Sequence, residues 1–265
     1  MHKPSRAQEL FIRRLKLRRI TVCAARVLIL AGFLFLWEFC AGRGIIDSFI
    51  FSSPSKIAAC FWEMVLDRSI FSHISITLYE TLASFLLVTV CSILLAVLLW
   101  CSKRLSDILE PYLVVLNSLP KSALAPLLIV WLGATPKTII VAGMSVAVFG
   151  SIMNLYTSFA AVDREKVKLI YTLHGGRRHV LAKVVLPGSV PAIISNMKVN
   201  IGLCLVGVVI GDFLAARSGL GYLIIYSSQV FKMDWLLMSI VLLCIMAMAL
   251  YAVIGVVEKL YKRRF

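Results

Sequence analysis

The chain has 265 residues, 60% hydrophobic and 15% charged, with a formal net charge of +15 and a mean hydropathy of +0.93. A soluble domain carries about a quarter charged residues, so this composition excludes one and points to an all-α polytopic membrane protein. The Lys and Arg residues fall in gaps between apolar runs, which is how topology signals are placed and not how a nucleic-acid surface is built.

In chain order, residues 1–21 are basic, with Lys3, Arg6, Arg13, Arg14, Lys16, Arg18 and Arg19. They predict an amphipathic helix along the inner membrane surface, with Leu10, Phe11, Leu15 and Leu17 toward lipid. The run Val22–Ala41 is too long for the core of a signal peptide and reads as a first span. Phe39 before Cys40 is not the small residue that a lipoprotein signal wants. Ser52-Ser53-Pro54-Ser55 is a helix start. The short apolar stretch after it, which carries Glu63, predicts an interfacial helix. A second span covers Ile76–Trp100, with Glu80 placed at the water boundary.

Lys103, Arg104 and Asp107 form a short polar loop. The third apolar run, Leu109–Leu132, contains Asn117-Ser118-Leu119-Pro120-Lys121 and then Pro126. Proline removes a backbone donor, and a broken helix at membrane depth needs protein or a water-filled cavity around it. Gly133–Lys137 is a tight turn. The fourth span is Thr138–Ala161 and the fifth Ala192–Leu214. A loop, Ala215–Asp234, carries Gly219-Leu220-Gly221-Tyr222. The sixth span is Trp235–Val257, and 259–265 is a basic tail. The resulting division is a 1–21 segment, a six-span domain over 22–258, and the tail.

Six spans put both termini on one side. Twenty Lys/Arg lie on that side and six on the other, so both ends are expected in the cytoplasm of a multi-pass inner (plasma) membrane protein. The seven cysteines lack paired ligand spacing. They predict neither a disulfide framework nor a zinc site.

Asp163–Pro191 is a polar island in this apolar chain. Val167–Leu173 has helical spacing, with Leu169, Ile170 and Leu173 on one side. Gly175-Gly176 can end that helix and turn the chain. Arg177–Leu186 reads as a second helix with Val180, Leu181, Val184 and Val185 toward the bilayer. Pro187 and Pro191 are expected to stop it and start the fifth span.

Here the chain resembles a known family. The island is similar to the cytoplasmic loop of ABC importer permeases, E-A-A-x-x-x-G-(nine residues)-I-x-L-P. Aligned on Val184-Val185-Leu186-Pro187, Lys168 stands at the motif's Glu, Leu169 and Ile170 at its Ala positions, and His174 at its Gly. The bend is therefore expected one residue late, at Gly175-Gly176. Asn117–Lys121 with Ala125-Pro126-Leu127 and Trp131-Leu132-Gly133 resembles the nitrate/sulfonate/taurine-type permeases. Gly207–Leu214, Gly219–Ile224 and Ser52–Ser55 resemble them as well.

The resemblance implies a type I importer permease fold. It implies an ATPase subunit dimer inside, an extracytoplasmic solute-binding protein, and a second permease subunit, either the same chain or a paralogue. ATP would be bound by the ATPase; the chain has no G-x-x-x-x-G-K-[ST] loop and is expected to hold no cofactor and no metal. Nitrate, an alkanesulfonate or taurine is the expected substrate, with a vitamin precursor such as riboflavin or a thiamine pyrimidine as the alternative. The loop residues carried over as ATPase-coupling are Tyr171, Thr172, Leu173, His174, Gly175, Gly176, Arg177, Arg178 and Pro187.

Path or gate candidates are Asn117, Ser118, Pro120, Lys121, Lys198 and Asp212. Lys121 either faces a cavity, where it would attract an anion, or pairs with a neighbouring carbonyl or snorkels. Lys198 either lines the path or snorkels to the cytoplasm. Asp212 either gates the outer mouth or is an ordinary span-end acid. Gly207 and Gly211 form a G-x-x-x-G suited to close helix contact. An ion-driven carrier would want carboxylates or histidines inside the spans, whereas Glu38, Glu80 and Asp212 all read as lying toward span ends. A membrane-embedded enzyme is disfavoured because His2, His73, His174 and His179 read as lying outside the spans.

Overall fold

The computed structural model describes residues 6–264, which contain no strand. The chain divides into two compact units, residues 1–63 and 64–265. Five helices are long and apolar enough to cross a membrane, or six if one bent pair counts as a span.

In the first unit, α1 runs Arg6–Gly42 without interruption. The basic segment and the first apolar run thus share one helix. No glycine or proline falls between Arg6 and Ala31, and the Thr21 hydroxyl donates back to the Leu17 carbonyl at 2.9 Å. Lys3 lies outside the described residues, as do the side chains of Leu10, Phe11 and Leu15. The 23 residues Ile20–Gly42 form the apolar part. A short helix α2, Ser48–Phe51, is capped by Asp47, whose carboxylate accepts the Phe49 N–H at 2.8 Å. Helix α3, Pro54–Leu66, starts where the serine-proline run predicts. Glu38 accepts from the Ser55 N–H at 3.0 Å and the Ser55 hydroxyl at 2.8 Å, tying the first turn of α3 to α1.

The second unit opens with α4 (Ser69–Cys101), α5 (Lys103–Ser118), α6 (Lys121–Leu132) and α7 (Pro136–Ala160). The third apolar run is the bent pair: α5 and α6 meet at 96°. Leu119 and Pro120 are extended, as the residue before a proline prefers. Pro126 lies inside α6 and does not break it.

Helices α8 (Arg164–Thr172) and α9 (Arg177–Val180) form the island. A π turn over Leu181–Val185 then leads into α10 (Leu186–Ala215). Arg177–Ala215 is one continuous 39-residue helix, so Pro187 and Pro191 do not separate a loop helix from the fifth span. The physical reason is the π turn: the Leu186 N–H reaches back to Leu181. The ladder has already shifted where Pro187 lacks its donor. Val180 and Val185 also do not face lipid; they are fully buried with Ala96, Leu155 and Phe159. The unit closes with α11 (Leu220–Gln229) and α12 (Met233–Arg264).

Helix α7 is the centre of this unit and packs against both α4 and α10. A core of Phe85, Val88, Ala147, Ile194, Ile201, Cys204 and Ile254 joins α4, α7, α10 and α12. The closest approach is backbone on backbone. A Cβ at Gly207 would lie 2.7 Å from the Gly143 Cα and 3.0 Å from the Ala142 carbonyl oxygen. The expected close contact of the glycine pair is therefore made with α7. Polar groups lock the same pair of helices: the Ser151 hydroxyl oxygen accepts from the amides of Asn196 at 2.6 Å and Asn200 at 2.8 Å.

Gly207→Ala should force α7 and α10 apart and destabilise the bundle by about 1–3 kcal/mol. Gly202→Ala, where nothing lies within 4 Å of the added methyl, should leave the unfolding midpoint of the detergent-solubilised protein unchanged or slightly raised.

Candidate functional site

The polar island is a pair of short helices, α8 and α9. Asp163 caps α8 by accepting the Glu165 N–H at 2.9 Å. At the other end, the Gly175 N–H donates to the Ile170 carbonyl at 2.8 Å and the His174 N–H to Tyr171 at 3.0 Å. That pattern needs a left-handed residue one position before Gly175, and His174 takes it with φ +59°. The bend thus lies at His174, at the motif's own glycine position, and not at Gly175-Gly176. Gly175 is required for space: a Cβ there would sit 2.5 Å from Ile170 Cγ2 and 2.8 Å from its carbonyl oxygen. Gly176 is open and has an ordinary negative φ.

The island's residues separate into an anchor and a tip. Val167 and Ile170 pack into the core beside Val180 and Trp100. Arg177 donates to the Trp100 carbonyl at 2.8 Å, and its guanidinium lies 5.3 Å from the Trp100 ring centre. It therefore fastens the lever to the end of α4. Tyr171, Thr172, Leu173, His174 and Arg178 remain exposed, with Leu173 at 70%. Leu169 joins this exposed tip, whereas Ile170 turns inward. Pro187 is exposed further along the continuous helix.

Asn117, Ser118, Pro120 and Lys121 gather at the α5–α6 bend. Lys121 donates to the carbonyls of Leu116 and, at 3.2 Å, Asn117, and its ammonium lies 5.4 Å from the Phe149 ring centre. This is the carbonyl-pairing alternative: a cation closing the C-terminal end of α5, where the helix dipole favours it. The Ser118 hydroxyl donates to Val114 at 2.9 Å. Asn117 lies against α7 at Gly150, where a Cβ would be 3.2 Å from its Oδ1. Lys198 pairs with Glu258 of α12, which also accepts from Lys262 at 2.7 Å.

Asp212 belongs to a polar node that the sequence reading did not assemble. Three side chains from two long helices cap the start of α11. The Gly219 N–H donates to His73 Nδ1 at 3.0 Å, the Leu220 N–H to Thr77 Oγ1 at 2.8 Å, and the Gly221 N–H to Asp212 Oδ2 at 3.2 Å. Gly219 has φ +115°, a conformation open to glycine alone. Glu80, expected at a water boundary, is 1% exposed and packed among protein groups beside Asp212. His73 likewise lies within α4, not outside a span. Residues 73, 77 and 80 recur on one face of α4 at helical spacing, so a signal was visible. Their partners come from residues more than a hundred positions away.

Five long apolar helices, or six spans with the bent α5–α6 pair, and a polar helical pair between α7 and α10 make this a multi-pass membrane protein. A family model described as the binding-protein-dependent transport system inner membrane component matches residues 88–265. The chain belongs to this family. It is 27% identical over 194 residues to a Bacillus subtilis protein named for aliphatic sulfonates transport, covering 73% of this chain and 70% of that one. It is 26% identical to the riboflavin transport system permease protein RibX of Chloroflexus aurantiacus, over 82% of this chain and 81% of that one. It is 23% identical to the taurine transport system permease protein TauC of Escherichia coli, over 70% and 67%. Among solved structures, an inward-facing MetNI methionine ABC transporter chain superposes with a TM-score of 0.62 at 17% identity, covering 73% of this chain and 94% of that one. The fold is that of ABC importer permeases.

A non-glycine residue in the left-handed region costs about 1–2 kcal/mol. His174→Gly should therefore keep the Gly175 amide protected and raise the unfolding midpoint. His174→Val should expose that amide to rapid hydrogen exchange.

Proposed function

We propose that this chain is the permease subunit of an ATP-driven importer, with both termini and the 163–191 lever in the cytoplasm. The observation that carries the reading is the family match over residues 88–265, which includes the lever. The lever's apolar tip supports it: Leu169, Tyr171 and Leu173 are exposed on an otherwise polar segment, as a docking surface for an ATPase requires. ATP-driven closure of an ATPase dimer would push this tip, and Arg177 and Ile170 would pass the motion to α4 and α7. The ATPase dimer, an external solute-binding protein and a second permease subunit complete the proposed assembly. The twenty-to-six distribution of basic residues supports the orientation.

The proposed substrate is a small sulfonate such as taurine or an alkanesulfonate, supported by the names of the Bacillus and Escherichia relatives. The basic residues of the spans add nothing to this choice, because Lys121 and Lys198 already have partners. A vitamin precursor is the second reading. It is supported by the riboflavin relative and by a formylaminopyrimidine transport permease of Halalkalibacterium halodurans, 26% identical over 71% of this chain.

Reconstituted with its ATPase and binding protein, the chain should take up taurine or an alkanesulfonate when ATP is present and ion gradients are collapsed. Nitrate, riboflavin and formylaminopyrimidine are the comparison substrates. Uptake that follows an ion gradient and ignores ATP would overturn the assignment. Tyr171→Ala combined with Leu173→Asp should abolish co-purification of the ATPase while membrane insertion persists, since both side chains are exposed. Unchanged co-purification would remove the tip as the docking surface.

A further inference from the structure

Two carboxyl groups meet inside the second unit, and among the described residues neither has a Lys or Arg partner. Glu80 of α4 and Asp212 of α10 are each 1% exposed and neighbour one another, Thr77, one turn before Glu80, and Asp212 both lying beside Gly219. Asp212 Oδ2 accepts the Gly221 N–H. Glu80 Oε2 and Asp212 Oδ1 are buried without any partner.

Among the described residues no Lys or Arg forms an ion pair with either carboxyl. On α4, His73 Nδ1 is engaged with the backbone of Gly219, 3.0 Å from its nitrogen and 3.1 Å from its carbonyl oxygen, and Tyr222 of α11 stacks on the ring with centres 6.4 Å apart. On α7, Lys137 is exposed in the first turn, and between α10 and α11 Arg217 is exposed. Lys121 of α6 is held by carbonyls of α5, and Glu258 of α12 is held by Lys198 and Lys262. Asp234 lies in the first turn of α12, and Lys103, Arg104, Asp107 and Glu110 are exposed on α5.

Two carboxylates in contact and out of water repel far more strongly than in solvent, and such pairs share a proton instead of both ionising. We propose that Glu80 and Asp212 form a proton-binding site inside the membrane domain, one proton being held between the two carboxyls. The bound proton forms a hydrogen bond from one carboxyl to the other and keeps Asp212 seated beneath the start of α11. Its loss places two like charges in contact, separates α4 from α10 at this end, and releases the Gly221 N–H. The site thus ties the docking of α11 to proton occupancy, independently of which solute the chain carries.

The test uses the full-length protein in lipid nanodiscs at about pH 6, where a free Asp or Glu is ionised. Infrared spectroscopy should show a protonated-carboxyl stretching band in the wild type. The band should be lost in Glu80→Gln combined with Asp212→Asn. Absence of the band in the wild type, or its persistence in the double variant, would overturn the proposal. So would a wild type without the band whose melting temperature rises with sodium chloride but not choline chloride, because the ligand would then be a metal cation. Glu80→Gln alone retains the shape and the hydrogen bond and covers the case of a double variant that fails to insert. In the wild type the Leu220 and Gly221 amides should lose protection as pH is raised, beyond the intrinsic rise in exchange. In Glu80→Gln they should stay protected, and identical pH profiles would count against the site.

Discussion

The bundle depends on one close approach, that of α10 to α7 at Gly207 and Gly143. Backbone meets backbone there at a distance no side chain tolerates. In a membrane the apolar driving force between helices is weak, so packing and interhelical hydrogen bonds must hold the spans together. The contact brings Ser151 under Asn196 and Asn200, which would otherwise be unsatisfied polar groups in hydrocarbon. Ser84 of α4 donates to the Ile140 carbonyl of α7 at 3.0 Å, which draws the third long helix into the same arrangement.

Two features are mounted on this scaffold at opposite ends of α10. At its beginning, the continuous helix Arg177–Ala215 makes the lever rigid with the span. A loop helix separated from the span by a hinge would absorb a push; in the proposed coupling, a helix that runs through a π turn would pass it on. Arg177 on Trp100 and Ile170 in the core give the lever a second attachment, to α4 and α7. At its end, Asp212 reaches the N-terminus of α11 together with His73 and Thr77. The free N–H groups of a short helix are thereby satisfied by side chains from elsewhere in the fold. The same long helix therefore touches both the proposed ATPase-docking element and the proposed proton site.

The lever also shows how a motif survives a change of residue. His174 occupies the motif's glycine position and keeps the left-handed backbone that a glycine would adopt freely. The hydrogen bond from Gly175 to Ile170 holds it there, and Gly175 supplies the clearance that a side chain would block. The cost of the strained residue is offset locally, within one turn of helix.

The order of spans, the break at Pro120, the serine-proline start of α3 and the lever's position were all legible in the sequence. Each rests on local chemistry: apolar length, a missing backbone donor, a cap, or a polar island in an apolar chain. What the sequence could not decide was where partly hidden groups find their partners. Glu80 reads as a boundary acid until Asp212 is brought against it from 132 positions away. Lys198 reads as lining the path or snorkelling to the cytoplasm until Glu258 reaches it. Pro187 reads as a helix stop until a π turn shifts the ladder before it. Hydropathy and capping act over a few residues and are written along the chain. Charge pairing and burial act across space, and only the packing of α4, α7, α10 and α12 sets which distant residues meet.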